Sequence, residues 1–352
     1  MKRVFFILGL MAMIAGNANA QYLTSHAKIA MPGQQNGIYY ALPRTVIQLD
    51  FIVEETLSVE GPYSDYVYMI GADEYVRKDK KEYRIQEVKI STYAEADPNA
   101  TFFIAFNGKK AETTEFYLTA NGILQGVGIP GEPVATTADS PSLPKETVQS
   151  TTFKYQYGGK NMKSEEQMAS SAAEMINKIR EEKLKLITGF QETAFTIDTY
   201  RQMYADLDAM ENDYLSLFVG KKTTRTLVST VYVTPSKDVT TQSIGKFSKD
   251  TGFTKDLAGA GELITLQALS LKTTSTINQP SPSTVEALAH ENKLFYRIPE
   301  TANVKVCLGD QNVLVEERET IAQYGVFMLA PMGKTKLALD PNTGQIINMS
   351  VD

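Results

Sequence analysis

The chain has 352 residues, 43% of them hydrophobic and 22% charged, the profile of a folded protein long enough for two domains. A formal charge of −6 argues against nucleic acid as a partner, because that ligand selects a basic face. One cysteine excludes an intramolecular disulfide, and one cysteine with two histidines leaves too few ligands for a clustered zinc site.

The first twenty residues have the layout of a cleaved secretory signal. Lys2 and Arg3 precede an apolar run from Val4 to Ile14, and Ala18-Asn19-Ala20 supplies the small-x-small pattern of a signal-peptidase site. The expectation is an exported protein beginning at Gln21, periplasmic or outer-membrane-associated. Loss of Lys2 and Arg3 takes the formal charge from −6 to −8. No later apolar run is long enough for a transmembrane helix, so no integral membrane segment is expected in the mature chain.

Residues 21–127 read as an N-terminal β module. Thr45–Val53, Tyr83–Ser91 and Thr101–Phe106 are strand candidates, and Pro43, which has no N–H, marks an edge or a strand start. Glu115–Thr119 and Ile123–Val127 flank Ala120-Asn121-Gly122, where Asn-Gly favours the positive φ angles of a tight hairpin. Residues 128–163 are a linker rich in Pro, Thr and Ser, with Phe153, Tyr155 and Tyr157 alternating as a short strand before the helices.

Residues 164–220 read as a helical hairpin. Ser164 and Gln167 have capping-box spacing, Met168, Ala172, Met175, Ile176, Ile179 and Leu186 form one stripe, and Gly189 stops the first helix. Tyr200, Met203, Leu207, Met210, Tyr214 and Phe218 form a second stripe that ends at Gly220. Both stripes are expected to pack on the β modules, with a partner protein as the alternative surface.

Residues 221–352 read as a C-terminal β module. Strands are expected over Thr226–Pro235 and Leu263–Lys272, with a short helix near Lys255–Ala258. A meander follows over Leu294–Ile298, Asn303–Leu308, Val313–Thr320, Tyr324–Leu329, Lys334–Leu339 and Gln345–Val351. Asn36–Thr45 aligns with Asn292–Thr301, with Asn, Tyr, Pro and Thr identical. The fold class is therefore α+β, mostly β: two β-sheet modules, with duplication as one reading of their likeness, and an inserted long helical hairpin.

No constellation of residues declares a reaction, so no catalytic, cofactor-binding or metal-binding residue is assigned and no cofactor is expected. His26, in an N-terminal arm, and His290, beside Glu291, read as surface histidines. Cys307 reads as a buried small hydrophobe in a strand. Glu54-Glu55 and Glu316-Glu317-Glu319 are the densest acids, and neighbours on a strand point to opposite faces, so they read as solvated. Asp340–Gly344 reads as a turn, because the spacing of a calcium loop is absent. Tyr39, Tyr40, Tyr63, Tyr66 and Tyr68 read as half-buried cross-strand partners.

The Gly37–Pro43 strand, the Lys183–Gly189 helix end, Asp213–Gly220, Phe295–Pro299 and Ile321-Ala322-Gln323-Tyr324-Gly325 carry a resemblance. On these residues the chain resembles a family of exported Bacteroidota proteins of about this length, built on a domain of unknown function. The resemblance implies a cell-envelope setting and no activity. The expected function is that of a non-enzymatic cell-envelope binding or assembly protein whose partner is another envelope protein. The alternative is an envelope hydrolase of glycan or peptide that uses a carboxylate pair.

Overall fold

The computed structural model describes residues 21–30, 36–107, 114–131, 151–155, 164–188, 196–281, 285 and 289–351. The signal-like segment, Tyr157, Gly189 and most of the linker lie outside the described residues. In chain order the elements are β1 (Tyr22–His26), β2 (Gly37–Val59), a 3-10 helix (Ser64–Ile70), β3 (Lys80–Phe106), β4 (Phe116–Leu118) and β5 (Leu124–Val127). The helices α1 (Glu165–Thr188) and α2 (Ile197–Val219) follow. Then come β6 (Lys221–Val233), β7 (Thr241–Ser248), β8 (Gly252–Thr254), β9 (Glu262–Ser270) and β10 (His290–Glu291). The last four strands are β11 (Lys293–Leu308), β12 (Asn312–Pro331), β13 (Thr335–Leu339) and β14 (Ile346–Val351).

The fold is mixed α+β and mostly β, with three antiparallel sheets. Their orders are β10-β1-β3-β2-β6, β12-β11-β9-β7-β8 and β14-β13-β5-β4. The sheets draw strands from both sides of the helices: β6 flanks β2, β10 pairs with β1, and β13 pairs with β5.

Two hairpins of unusual length organise the β structure. β2 and β3 run for 23 and 27 residues, several times an ordinary strand. Segments that the sequence separates are therefore joined: Tyr83–Ser91 with Thr101–Phe106 in β3, and the four segments from Leu294 to Leu329 in β11 and β12. The joints are bulges. Between Ala41 and Pro43 the register moves two residues along β2 but five along β3, from Thr101 to Ala96. Between Ile298 and Glu300 it moves two along β11 and five along β12, from Val326 to Ile321. The sequence repeat thus has a structural counterpart, since both prolines sit at matching irregularities. Pro43 is neither on an edge strand nor at a strand start; the shift, which lies beyond the reach of β6 pairing, accommodates its missing N–H.

The bulge also turns β2 over. Tyr40 and Leu42 enter one core, and the odd residues Ile47, Leu49, Phe51 and Val53 enter another. The core of Ile47, Leu49, Phe51 and Val53 packs β2, Val88 of β3 and β6 against β7, β9, β11 and β12. The core of Tyr40 and Leu42 gathers all three sheets around Phe102, which stacks on Phe295 at 4.5 Å and on Tyr40 at 5.4 Å.

A third core belongs to the helices. Ala169, Ala172, Ile176 and Ile179 of α1 meet Tyr214, Leu217 and Phe218 of α2, with Tyr63 closing one end. The small residues at 169, 172 and 173 let the two helices approach closely. The stripes therefore pack on each other and on the 3-10 helix rather than on the sheets. The capping box forms: Ser164 N–H donates to Gln167 Oε1 at 3.2 Å and Gln167 N–H to Ser164 Oγ at 3.3 Å. Gly220 closes α2 with φ of 79° and its N–H on Ser216 O.

Local chemistry explains three further differences. Residues 151–155 form no strand; Tyr155 stacks on Tyr214 at 4.6 Å and Phe153 packs on the helix base. Lys255–Ala258 is a turn, because the Asp256 side chain takes the Ala258 N–H at 2.9 Å and so competes with a helix. Tyr63, Tyr66 and Tyr68 belong to the 3-10 segment and not to a sheet.

Candidate functional site

The two bulges grip each other's strands. In the β12 bulge, Gln323 receives the Thr45 N–H at 2.8 Å and donates to Thr45 O at 2.9 Å, much as a neighbouring strand would. Ala322 N–H donates to Thr45 Oγ1 at 2.8 Å. In the β3 bulge, Asp97 receives a bond from Arg297 at 3.0 Å, and the Arg297 guanidinium also donates to Pro43 O and lies over the Phe327 ring. Arg297 and Asp97 are both buried. Burial lowers the Arg297 pKa, and Asp97 opposes that shift.

A cleft of about 360 Å³ opens beside the β12 bulge. β11 supplies Glu300, the residue after Pro299. β9 supplies Ser270, the segment after it supplies Lys272 and Thr274, and the β6–β7 connection supplies Lys237. Glu300 is 4% exposed and forms the inner end. Its carboxylate accepts from the Ser270 hydroxyl and from Thr274 Oγ1 at 2.7 Å. Burial pushes its pKa up, but these hydroxyls and the Lys237 charge outweigh that and hold Glu300 below its ordinary value.

The segment over Glu300 is folded back tightly. Leu271 N–H donates to Thr301 O at 2.9 Å and Ser275 N–H to Lys272 O at 3.1 Å. Lys272 adopts a φ of 56°, a left-handed conformation that costs an L residue about 1–2 kcal/mol. Lys237 and Lys272 are exposed and mark the solvent end. Lys237 Nζ donates to Gly325 O at 3.2 Å. Loss of solvent around the amine lowers its pKa, Glu300 pulls the other way, and Arg297 adds to the lowering. Tyr324 forms a wall, its hydroxyl donating to Ser236 O and Ala268 O at 3.1 and 3.2 Å.

The residues weighed from sequence lie elsewhere. His26 is not on the surface: it is 2% exposed in β1, with Nε2 3.0 Å from Asn99 O. His290 is half-buried in β10, edge-on to Phe295. Cys307 is buried in β11. Glu55 is buried rather than solvated, because Arg225 binds it in a two-pronged pair at 2.8 and 2.9 Å and Lys81 adds a third contact. Glu54 faces Gln86 and Arg84, and Glu316 takes a bond from Asn303. Asp340 closes a side-chain turn on Asn342 and Thr343. Tyr40 is fully buried, whereas Tyr39 is exposed and pairs across strands with Phe103. Among the described residues no group of three His, Cys, Asp or Glu is placed to hold a metal ion. No helix there is long and apolar enough to cross a membrane.

A second exposed feature is the far end of the helical hairpin. Buried positions of α2 are confined to Tyr214–Phe218, near its base. At the other end Leu184, Ile187 and Ile197 are 61%, 64% and 72% exposed. Between tip and base, Lys183 bridges Asp208 and Glu211, each at 2.7 Å, and Arg180 reaches Glu211 at 2.6 Å.

These features define a three-sheet α+β protein with a helical hairpin that has its own core, and with a polar cleft beside the β12 bulge. The chain belongs to the family described as a domain of unknown function (DUF4831), which it matches over residues 36–347. No curated protein and no solved structure matches it.

Proposed function

We propose that the chain is a non-enzymatic binding or assembly protein of the cell envelope, with the helical hairpin as the arm that meets another envelope protein. The observation carrying this reading is the apolar tip. Leu184, Ile187 and Ile197 stand exposed among the described residues, and exposed apolar residues of this kind can mark interaction sites. Export is supported by the Lys2-Arg3 start, the apolar run after it and Ala18-Asn19-Ala20, and the Bacteroidota setting by the resemblance noted above. For the hydrolytic alternative, a carboxylate pair would need a second acid beside Glu300, and the described residues lining the cleft include no other Asp or Glu.

The test is site-specific photocrosslinking in the native cell. A crosslinker at Leu184 or Ile187 is expected to give one discrete adduct with a second protein, absent when the crosslinker stands at Asn303 on a sheet face. Equal labelling at all three positions, or a monomer throughout, overturns the reading.

A further inference from the structure

The cleft carries two charges of opposite sign that do not meet. Glu300 is buried, its carboxylate is satisfied by the Ser270 and Thr274 hydroxyls and the Thr273 backbone, and among the described residues it forms no ion pair with a lysine, arginine or histidine. A carboxylate has about four acceptor positions, so two hydroxyls and one backbone N–H leave it room for one more donor. A buried anion ordinarily has a cation in contact. Here the nearest candidate, Lys237, is turned to a backbone carbonyl instead. At the solvent end, Lys237 and Lys272 present two ammonium groups. The cleft is thus negative at its inner end and positive at its mouth, and its walls mix the hydroxyl residues Thr240 and Ser275 with the apolar Ala268, Ile277 and Val326.

We propose that this cleft binds a small zwitterion, a free α-amino acid or a short peptide, with the ligand's ammonium on Glu300 and its carboxylate on Lys237 and Lys272. A sugar fits less well, because the Tyr324 ring is buried in the wall and offers no open face for stacking. The volume of about 360 Å³ suits an amino acid or a dipeptide. The strained Lys272 is consistent with this assignment, since the φ of 56° places that residue over the cleft at a local cost. The inference is independent of the hairpin, and tip variants would leave it unchanged.

Calorimetric titration of the full chain tests the proposal with alanine, alanyl-alanine, N-acetyl-alanyl-alanine and alanyl-alaninamide. Alanine or alanyl-alanine is expected to bind saturably, and the stronger of the two identifies a free amino acid or a peptide as the natural source. Capping either end is expected to weaken binding at least about tenfold, the scale of one charge-assisted contact. Glu300→Gln should erase the preference for a free amino group, and Lys237→Met the preference for a free carboxylate. Lys237 is exposed, so its variant remains informative should Glu300→Gln fail to fold. Equal binding of free and capped ligands, or none at about 10 mM, well above millimolar affinity, overturns the proposal.

Discussion

At the scale of single residues, the contacts joining the two long hairpins are polar and buried. Thr45 is 4% exposed, and Gln323 serves both its N–H and its C=O. Gln323→Leu would orphan both groups, and at about 1–3 kcal/mol for each the expected loss is about 2–6 kcal/mol in urea unfolding. Arg297→Met would leave Asp97 buried and unpaired, with an expected loss of about 3–5 kcal/mol by the same measurement. Acids divide by the sign of their shift. Burial would raise Glu55, but the bonds from Arg225 and Lys81 hold it low. Its contribution is complete above the unfolded value of roughly 4.3 and is lost as pH falls through the lower folded one. Glu55→Gln is therefore expected to lower the melting temperature at pH 7, with a difference that shrinks toward pH 3. Glu319 behaves oppositely, because burial and the neighbouring Glu317 raise it. Its charged form strains the fold, so stability is gained as pH falls through the raised value. Glu319→Gln should raise the melting temperature at pH 7 and leave it unchanged at pH 4, as calorimetry would show.

At the scale of elements, what was legible in the sequence was local. Ser164 with Gln167, Gly220, and Asn121-Gly122 act on neighbours a few residues away, and each does in the structure what its chemistry implies: Gly122 has a φ of 79°. The long strands were hidden because their bulges are stabilised from far along the chain. Pro43 looks like a break until Arg297 and Gln323 are seen holding the segment around it. The cleft was hidden for the same reason: Glu300, Lys237 and Ser270 share no spacing pattern and meet only through the β11–β9 pairing and the turn over it. One signal was available. Glu300 follows the repeated proline, and Tyr324 lies in the Ile321–Gly325 motif that carries the family resemblance. Gly325 belongs to that motif because a Cβ there would collide with the Ile298 carbonyl. Gly325→Ala is expected to disrupt the β12 bulge, lowering the urea midpoint and weakening the Lys237 end of the cleft together.

At the scale of the whole molecule, the helical arm and the β body have separate cores. The far half of α2 is mostly exposed, whereas β2 and β11 are buried along most of their length. Hydrogen exchange should reflect this, with amides over residues 201–209 opening far faster than those of β2 and β11. Uniform protection across arm and body would show instead that the two unfold as one unit.

Topology also dictates timing. β1 is completed by β10, and β5, already paired with β4, gains its second neighbour in β13, so early-made strands wait for the latest. A ribosome-stalled chain ending at residue 281 therefore leaves all three sheets unfinished and should remain open to proteases. Until synthesis is nearly over the polypeptide stays pliable enough to be threaded through a narrow pore.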